Sequence, residues 1–125
     1  MAELEALKAK YSSVLGVGEN VGLNVAHLHI DSDKLYLEGT VPSEHAKNEI
    51  WDAVKAVDSA YGDINPNITV GATKYNVQSG DTLSKIAKHA YGDAGKYHSI
   101  FNANTDILDN PDNIQVGQEL TLPAL

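Results

Sequence analysis

The chain has 125 residues, no cysteine and a formal net charge of −8. Its length suits one domain or two very small ones. Without cysteine there is no disulfide, thiolate metal site or thiol nucleophile, which leans toward a cytoplasmic setting. The acidity argues against nucleic acid and anionic membrane surfaces as partners, and mildly favours cations.

The opening MAELEALKAK reads as an amphipathic helix rather than an export signal: Leu4, Leu7, Tyr11, Val14 and Leu15 fall at helical spacing over residues 3–15. GVGEN is expected to end that helix at Gly16 and Gly18. In AHLHIDSDKLYLEGTV, Ala26, Leu28 and Ile30 alternate with His27 and His29. After DSDK, Leu35, Leu37 and Val41 alternate with Tyr36, Glu38 and Thr40. Two period-two runs around a short polar turn predict a β-hairpin with one buried face. Gly39 inside the second run marks a bulge or a close neighbour.

Ser43 is placed to cap a helix with Ala46, Ile50, Val54, Val57 and Tyr61 on one face. NPN is expected to break the chain before a short third strand at Ile68 and Val70. This gives an α-β-β-α-β unit ending near residue 71. Gly71 to Thr73 is the only linker, too short for free tumbling, so contact between the units is expected.

Tyr75 and Val77 begin a second unit. Gly80 makes a turn, Asp81 is the expected cap, and Leu83, Ile86, Ala87 and Ala90 form the buried stripe of a helix. Tyr97, Ile100, Phe101 and Asn104 lie at i, i+3, i+4 and i+7 on another, with Asn104 expected to tie down backbone through its amide. Leu120 and Leu122 form the last strand before Pro123. The order is β-α-α-β, and the fold class for the whole chain is α+β.

The spaced matches YNVQSGDTLSKIAKHAYGD, YHSIFNANTD and NIQVGQELTLP resemble a LysM module along their whole length. The first unit resembles a BON domain through LYLEGTV and its flanking elements. The implied organisation is a BON-like domain at 1–71 and a LysM domain at 74–125. This order is similar to that of small bacterial cytoplasmic BON–LysM proteins, one type of which binds potassium. That resemblance implies a non-enzymatic cytoplasmic ligand-binding protein, a monomer, with potassium as its one candidate ion and no organic cofactor. Its cation would favour a closed arrangement of the two domains. Two other readings stay open. One is binding of peptidoglycan, a polymer containing N-acetylglucosamine. The other is a structural adaptor, since related LysM units occur in tubular assemblies.

For glycan, the family groove maps to Gly80, Asp81, Thr82, Leu83, Ile107, Asn113 and Ile114. Two loops there offer backbone partners and apolar contact to N-acetyl groups. For potassium, which takes oxygen ligands and often backbone carbonyls, candidates are the GVGEN turn, with Gly16 and Gly18, and the segment Tyr61 to Asn65, with Tyr61 and Asp63. His27 and His29, with Glu38 across from them, are expected to be a solvated strand face rather than a metal site. No nucleophile elbow, paired-carboxylate cleft or phosphate loop is present, so no catalysis is expected.

Overall fold

A computed structural model describes residues 4–60 and 62–125. In chain order the elements are α1 (Leu4–Lys10), α2 (Ser12–Val21), β1 (Asn24–Asp31), β2 (Lys34–Val41), α3 (Glu44–Val57), β3 (Ile64–Val70), β4 (Thr73–Asn76), α4 (Leu83–Tyr91), α5 (Tyr97–Ala103) and β5 (Glu119–Leu122). Helix and strand are mixed in both halves, as the α+β reading expects.

The first unit is a three-stranded sheet in the order β1-β2-β3 with helices on one face. β1 and β2 form an antiparallel hairpin whose turn residues, Ser32 and Asp33, both have positive φ. That is the two-residue turn matching the twist of the flanking strands. β3 runs parallel to β2, with α3 as the crossover between them. Leu35, Leu37, Val41, Ile64 and Ile68 meet Tyr11, Val14, Ile50 and Val54 in one buried core.

Three local expectations are corrected. GVGEN is not a turn: the helix breaks instead at Tyr11, and α2 carries both glycines as far as Val21. Each glycine costs a helix about 1 kcal/mol. Burial of Val14, Gly18 and Val21 offsets this, and a Cβ on Gly18 would meet Leu23 at 2.7 Å. Second, NPN does not break the chain, because Pro66 lies buried within β3. β3 is an edge strand, where a missing N–H is tolerated. Third, Ala26 is exposed, because the register slips between Val25 and His27. The core-facing alternation starts only at Leu28. Val70 lies on the third strand as expected, at its exposed end.

Gly39 is a close-approach site. An added Cβ would stand 2.6 Å from the Leu23 side chain and 2.7 Å from the Asn24 carbonyl oxygen. Ser43 caps α3 as expected, its hydroxyl accepting from the Ala46 N–H at 3.1 Å.

The second unit is a two-stranded antiparallel ribbon, β4 with β5, against α4 and α5. Val77 lengthens the ribbon beyond β4 by pairing with Gln118 and Gly117. Leu83, Ile86, Ala87 and Ala90 are all buried with Ile100, Leu120 and Leu122. Asn104 ends α5 and is buried; its amide bonds the Ile100 carbonyl and both backbone groups of Thr121. One expectation here moves by a residue: Thr82, not Asp81, caps α4, accepting from the Lys85 N–H at 3.1 Å. Asp81 is already engaged, accepting from the Gln78 N–H and the Tyr75 hydroxyl.

The units touch along α2, α3 and α4. The Ser43 hydroxyl donates to the Ala90 carbonyl, joining the start of α3 to the end of α4. The Asn24 amide pairs with both backbone groups of Lys74, at 2.8 and 2.7 Å. Leu125 N–H donates to the Pro42 carbonyl at 2.9 Å.

Candidate functional site

Three concave regions bear on function. The smallest lies in the second unit, between the start of α4 and the loop after α5. It has a volume of about 210 Å³ and is lined by Thr82, Leu83, Ser84, Tyr97, Pro111 and Asp112. The chain reaches it through a turn that needs Gly80 at φ +85, where a Cβ would be strained. Asp81 fixes that turn through Gln78 and Tyr75. Burial first, then the hydrogen bond to Asp81, pushes the Tyr75 phenol well above its ordinary range, so it stays a neutral donor.

Of the seven residues expected in the glycan groove, Thr82 and Leu83 line it directly. Gly80 and Asp81 build its turn. Asn113 and Ile114 follow Pro111 and Asp112 in the facing loop; Asn113 is exposed and Ile114 packs half-buried on the core. Ile107 stands exposed earlier in the same loop. Tyr97, Ser84, Pro111 and Asp112 were missed. Tyr97 reads in the sequence only as a core position of its helix, and Pro111 only as punctuation.

The cation candidates are not brought together as one cluster. Gly16 and Gly18 are inside α2, and the Gly18 carbonyl already accepts the N–H groups of Gly22 and Leu23. Tyr61 lies outside the described residues. Asp63 follows in the turn into β3 and is the centre of a polar cluster. Its carboxylate accepts from the Lys10 ammonium at 2.7 Å and from the Tyr11 hydroxyl. Asp58, at the end of α3, lies 3.3 Å from the same ammonium. Lys10 first, then Tyr11, holds the Asp63 carboxyl below its ordinary range. The hydrogen bond to Asp63 is in turn the main cause that raises Lys10. The break between α1 and α2 makes this cluster possible, because it brings Lys10 and buried Tyr11 over the turn after α3.

On the open face of the first sheet, His27 is paired across strands with Glu38 and His29 with Tyr36. His27 Nε2 is 3.8 Å from Glu38, and the His29 and Tyr36 rings lie 4.9 Å apart. Among the described residues, no group of three or more His, Asp or Glu side chains is placed to hold a metal ion.

The remaining two grooves lie at the seam of the units. One, of about 430 Å³, is lined from α2, α3 and α4; the other, of about 440 Å³, by the end of α2 and the residues after it with Lys74, Tyr75, Asn76 and Gln78. Neither was legible in the sequence.

Residues 75–123 match the family model of the LysM domain. This makes the chain a ligand-binding protein with a LysM domain at its C-terminal end. Among curated proteins it is 39% identical over 101 residues to the potassium binding protein Kbp of Escherichia coli, covering 78% of this chain and 68% of that protein. The chain belongs to the Kbp family. It is also 33% identical over 132 residues to an uncharacterized protein of Deinococcus radiodurans, covering 94% of this chain and about half, 51%, of that protein. No helix among the described residues is long and apolar enough to cross a membrane.

Proposed function

We propose that this chain is a cytoplasmic, monomeric potassium-binding protein of two domains, BON-like at 1–71 and LysM at 74–125. The observation that carries this reading is the identity to a protein named for potassium binding, over a length that exceeds the LysM match. Within the chain, the turn from Asp58 to Asp63 suits a monovalent cation best. Asp58 and Asp63 there both hold the Lys10 ammonium, and Asp63 also accepts from the Tyr11 hydroxyl. A potassium ion needs the same kind of oxygen-lined, partly dehydrated place, completed by backbone carbonyls. Asp63 stands at its end, while Tyr61, the other residue expected there, lies outside the described residues. Gly16 and Gly18 are the weaker pair, since helical carbonyls are already engaged.

The test is a two-dimensional amide NMR titration replacing NaCl with KCl at constant ionic strength. Saturable shifts confined to residues 58–65 and the α1–α2 break are expected. Identical shifts in both salts, or none, would overturn the potassium reading.

A second reading is favoured by the groove between Thr82–Ser84 and Pro111–Asp112: binding of an N-acetylglucosamine oligomer. A single groove of this size binds weakly, and multiplicity would be needed for retention on a polymer. Shifts at Thr82, Tyr97 and Asp112 on adding such oligomers would support it. Their absence at millimolar ligand would remove it.

A further inference from the structure

The groove where α2, α3 and α4 meet is built by both units, with helices on every wall. Its floor is apolar, from Val17 and Val21 of α2. Above that floor stand His45 and Glu49 of α3, and Lys88 and His89 of α4. Its volume, about 430 Å³, falls in the range of small-molecule sites, roughly 300–1,000 Å³. An apolar floor with a few polar heads at a junction of two units is the usual composition of such sites.

Its walls are held in place by contacts between α3 and the end of α4. The Ser43 hydroxyl locks the first turn of α3 to the end of α4. Gly92 ends α4 at φ +76, and the His45 ring lies so close that a Cβ there would meet it at 2.8 Å. The polar heads are poorly used by the protein itself. His45 Nε2 sits 3.7 Å from Glu49, too far for a hydrogen bond. Among the described residues, the side chains of Lys88 and His89 have no hydrogen-bond or ion-pair partner.

Charge decides the class of ligand. The groove presents one cation, Lys88, and one anion, Glu49, on an apolar floor. A simple anion would approach a chain of net charge −8 and then face Glu49. A simple cation would face Lys88. A molecule with both charges satisfies both residues and lays its carbon chain on Val17 and Val21. We infer that this groove binds a small zwitterion, an amino acid with an aliphatic backbone, its carboxylate toward Lys88 and His89 and its ammonium toward Glu49. The inference goes beyond the potassium reading and does not depend on it.

The test uses the full chain, isotopically labelled, in potassium-free sodium buffer. Glycine, 4-aminobutyrate and 6-aminohexanoate probe the charge spacing; acetate and ethylammonium carry one charge each. At least one amino acid is expected to give saturable amide shifts at Val17, Lys88, His89 and Gly92. Each single-charge probe should bind about tenfold more weakly or worse, as expected when one of two contacts is lost. Lys88→Ala and Glu49→Gln, both at exposed positions, should each weaken the amino acid about fivefold and leave distant amides unmoved. The inference fails if none of the three amino acids saturates, if acetate binds as tightly as they do, or if both variants bind unchanged. Because potassium is absent throughout, failure of the potassium reading would not produce any of these results.

Discussion

The two units are held together by different physics. In the first, three strands, α2 and α3 close over a continuous apolar core that includes Tyr11, Leu35, Leu37, Ile50 and Val54. Its stability is mostly area removed from water. The second has only a two-stranded ribbon of four-residue strands. Such a ribbon is marginal alone. Here it leans on specific polar ties: Asn104 to Thr121, the Tyr91 hydroxyl to the Pro123 carbonyl at 2.7 Å, and Asp81 to Tyr75. A large sheet tolerates local irregularity such as Pro66 or the bulge at Ala26, whereas a small ribbon depends on individual side chains.

The sharpest way to break this comparison is to damage each unit in its own currency. Ile50→Ala removes a fully buried side chain from α3 and should cost about 4 kcal/mol. Urea unfolding would read the loss. Amide exchange should show that the loss reaches α4 only through the seam. If LysM-unit amides exchange as fast as those of the first sheet, the units fold as one body.

Asn104→Ala is the counterpart, and should cost about 3 kcal/mol, since it leaves buried backbone groups of Ile100 and Thr121 without partners. Its effect should be concentrated in β4 and β5. Asn104→Asp, which keeps the acceptor for the Thr121 N–H but loses the donors, should do no better. Full stability in either variant would mean that the second unit is held by area after all.

How much was legible in the sequence follows the same division. The LysM unit could be read element by element, because each of its corners is set by a local device. Gly80, Gly92 and Gly117 all adopt positive φ, and Asn104 satisfies strand backbone from the end of a helix. The cap of α4 was displaced by one residue because Asp81 and Thr82 are both capable caps, and only the fold shows that Tyr75 has claimed Asp81. The first unit was less legible because its irregular residues answer to tertiary contacts. Gly16 and Gly18 read as helix breakers, yet α2 continues to Val21 against α3. That one misreading hid the seam groove, whose floor needs Val17 and Val21 on a helix. The groove at the start of α4 was partly legible, because Gly80 to Leu83 are sequence neighbours. Tyr97 comes to it from the start of α5 and Asp112 from the loop after α5, both distant in sequence. The Asp63 cluster was half visible: the turn was marked as a cation candidate, but Lys10 and Tyr11 reach it only because the helix breaks after Lys10.

A smaller effect is expected at the seam. Ser43→Ala removes both the cap on Ala46 N–H and the tie to Ala90, and should cost about 2 kcal/mol. Gly92→Ala tests the other side of the contact, since a left-handed alanine would press on His45. In both variants the amides of Val17 and Val21 should shift while the far ends of the two sheets stay unmoved. A change spread evenly over the chain would mean that the seam is not a distinct joint.

The smallest expected effect, and the one that separates the Asp63 cluster from simple burial, is its dependence on pH. Asp63 is held below its ordinary pKa, chiefly by Lys10 and then by Tyr11, so the folded chain binds this proton less well than the unfolded chain. Its contribution to stability is therefore complete above the unfolded value of about 4, and fades as pH falls through the lower folded value. Tyr11 behaves in the opposite sense. Burial first, then the hydrogen bond to Asp63, pushes its phenol up to about 12, so the fold favours the protonated form. That contribution is complete below the unfolded value of about 10 and is lost as pH rises toward the folded one. One carboxylate thus supports both flanks of a plateau, on the acid side directly and on the alkaline side through Tyr11. Asp63→Asn should lower the plateau, flatten the acid flank and flatten the alkaline one only in part, because burial still raises Tyr11, while Tyr11→Phe should remove the phenol's alkaline contribution and leave most of the acid flank through Lys10. Thermal unfolding followed from pH 3 to pH 11 would read both profiles. If Asp63→Asn changed the plateau height alone, the cluster would be acting as a neutral polar contact, and the case for a charge-selecting cation turn at Asp63 would go with it.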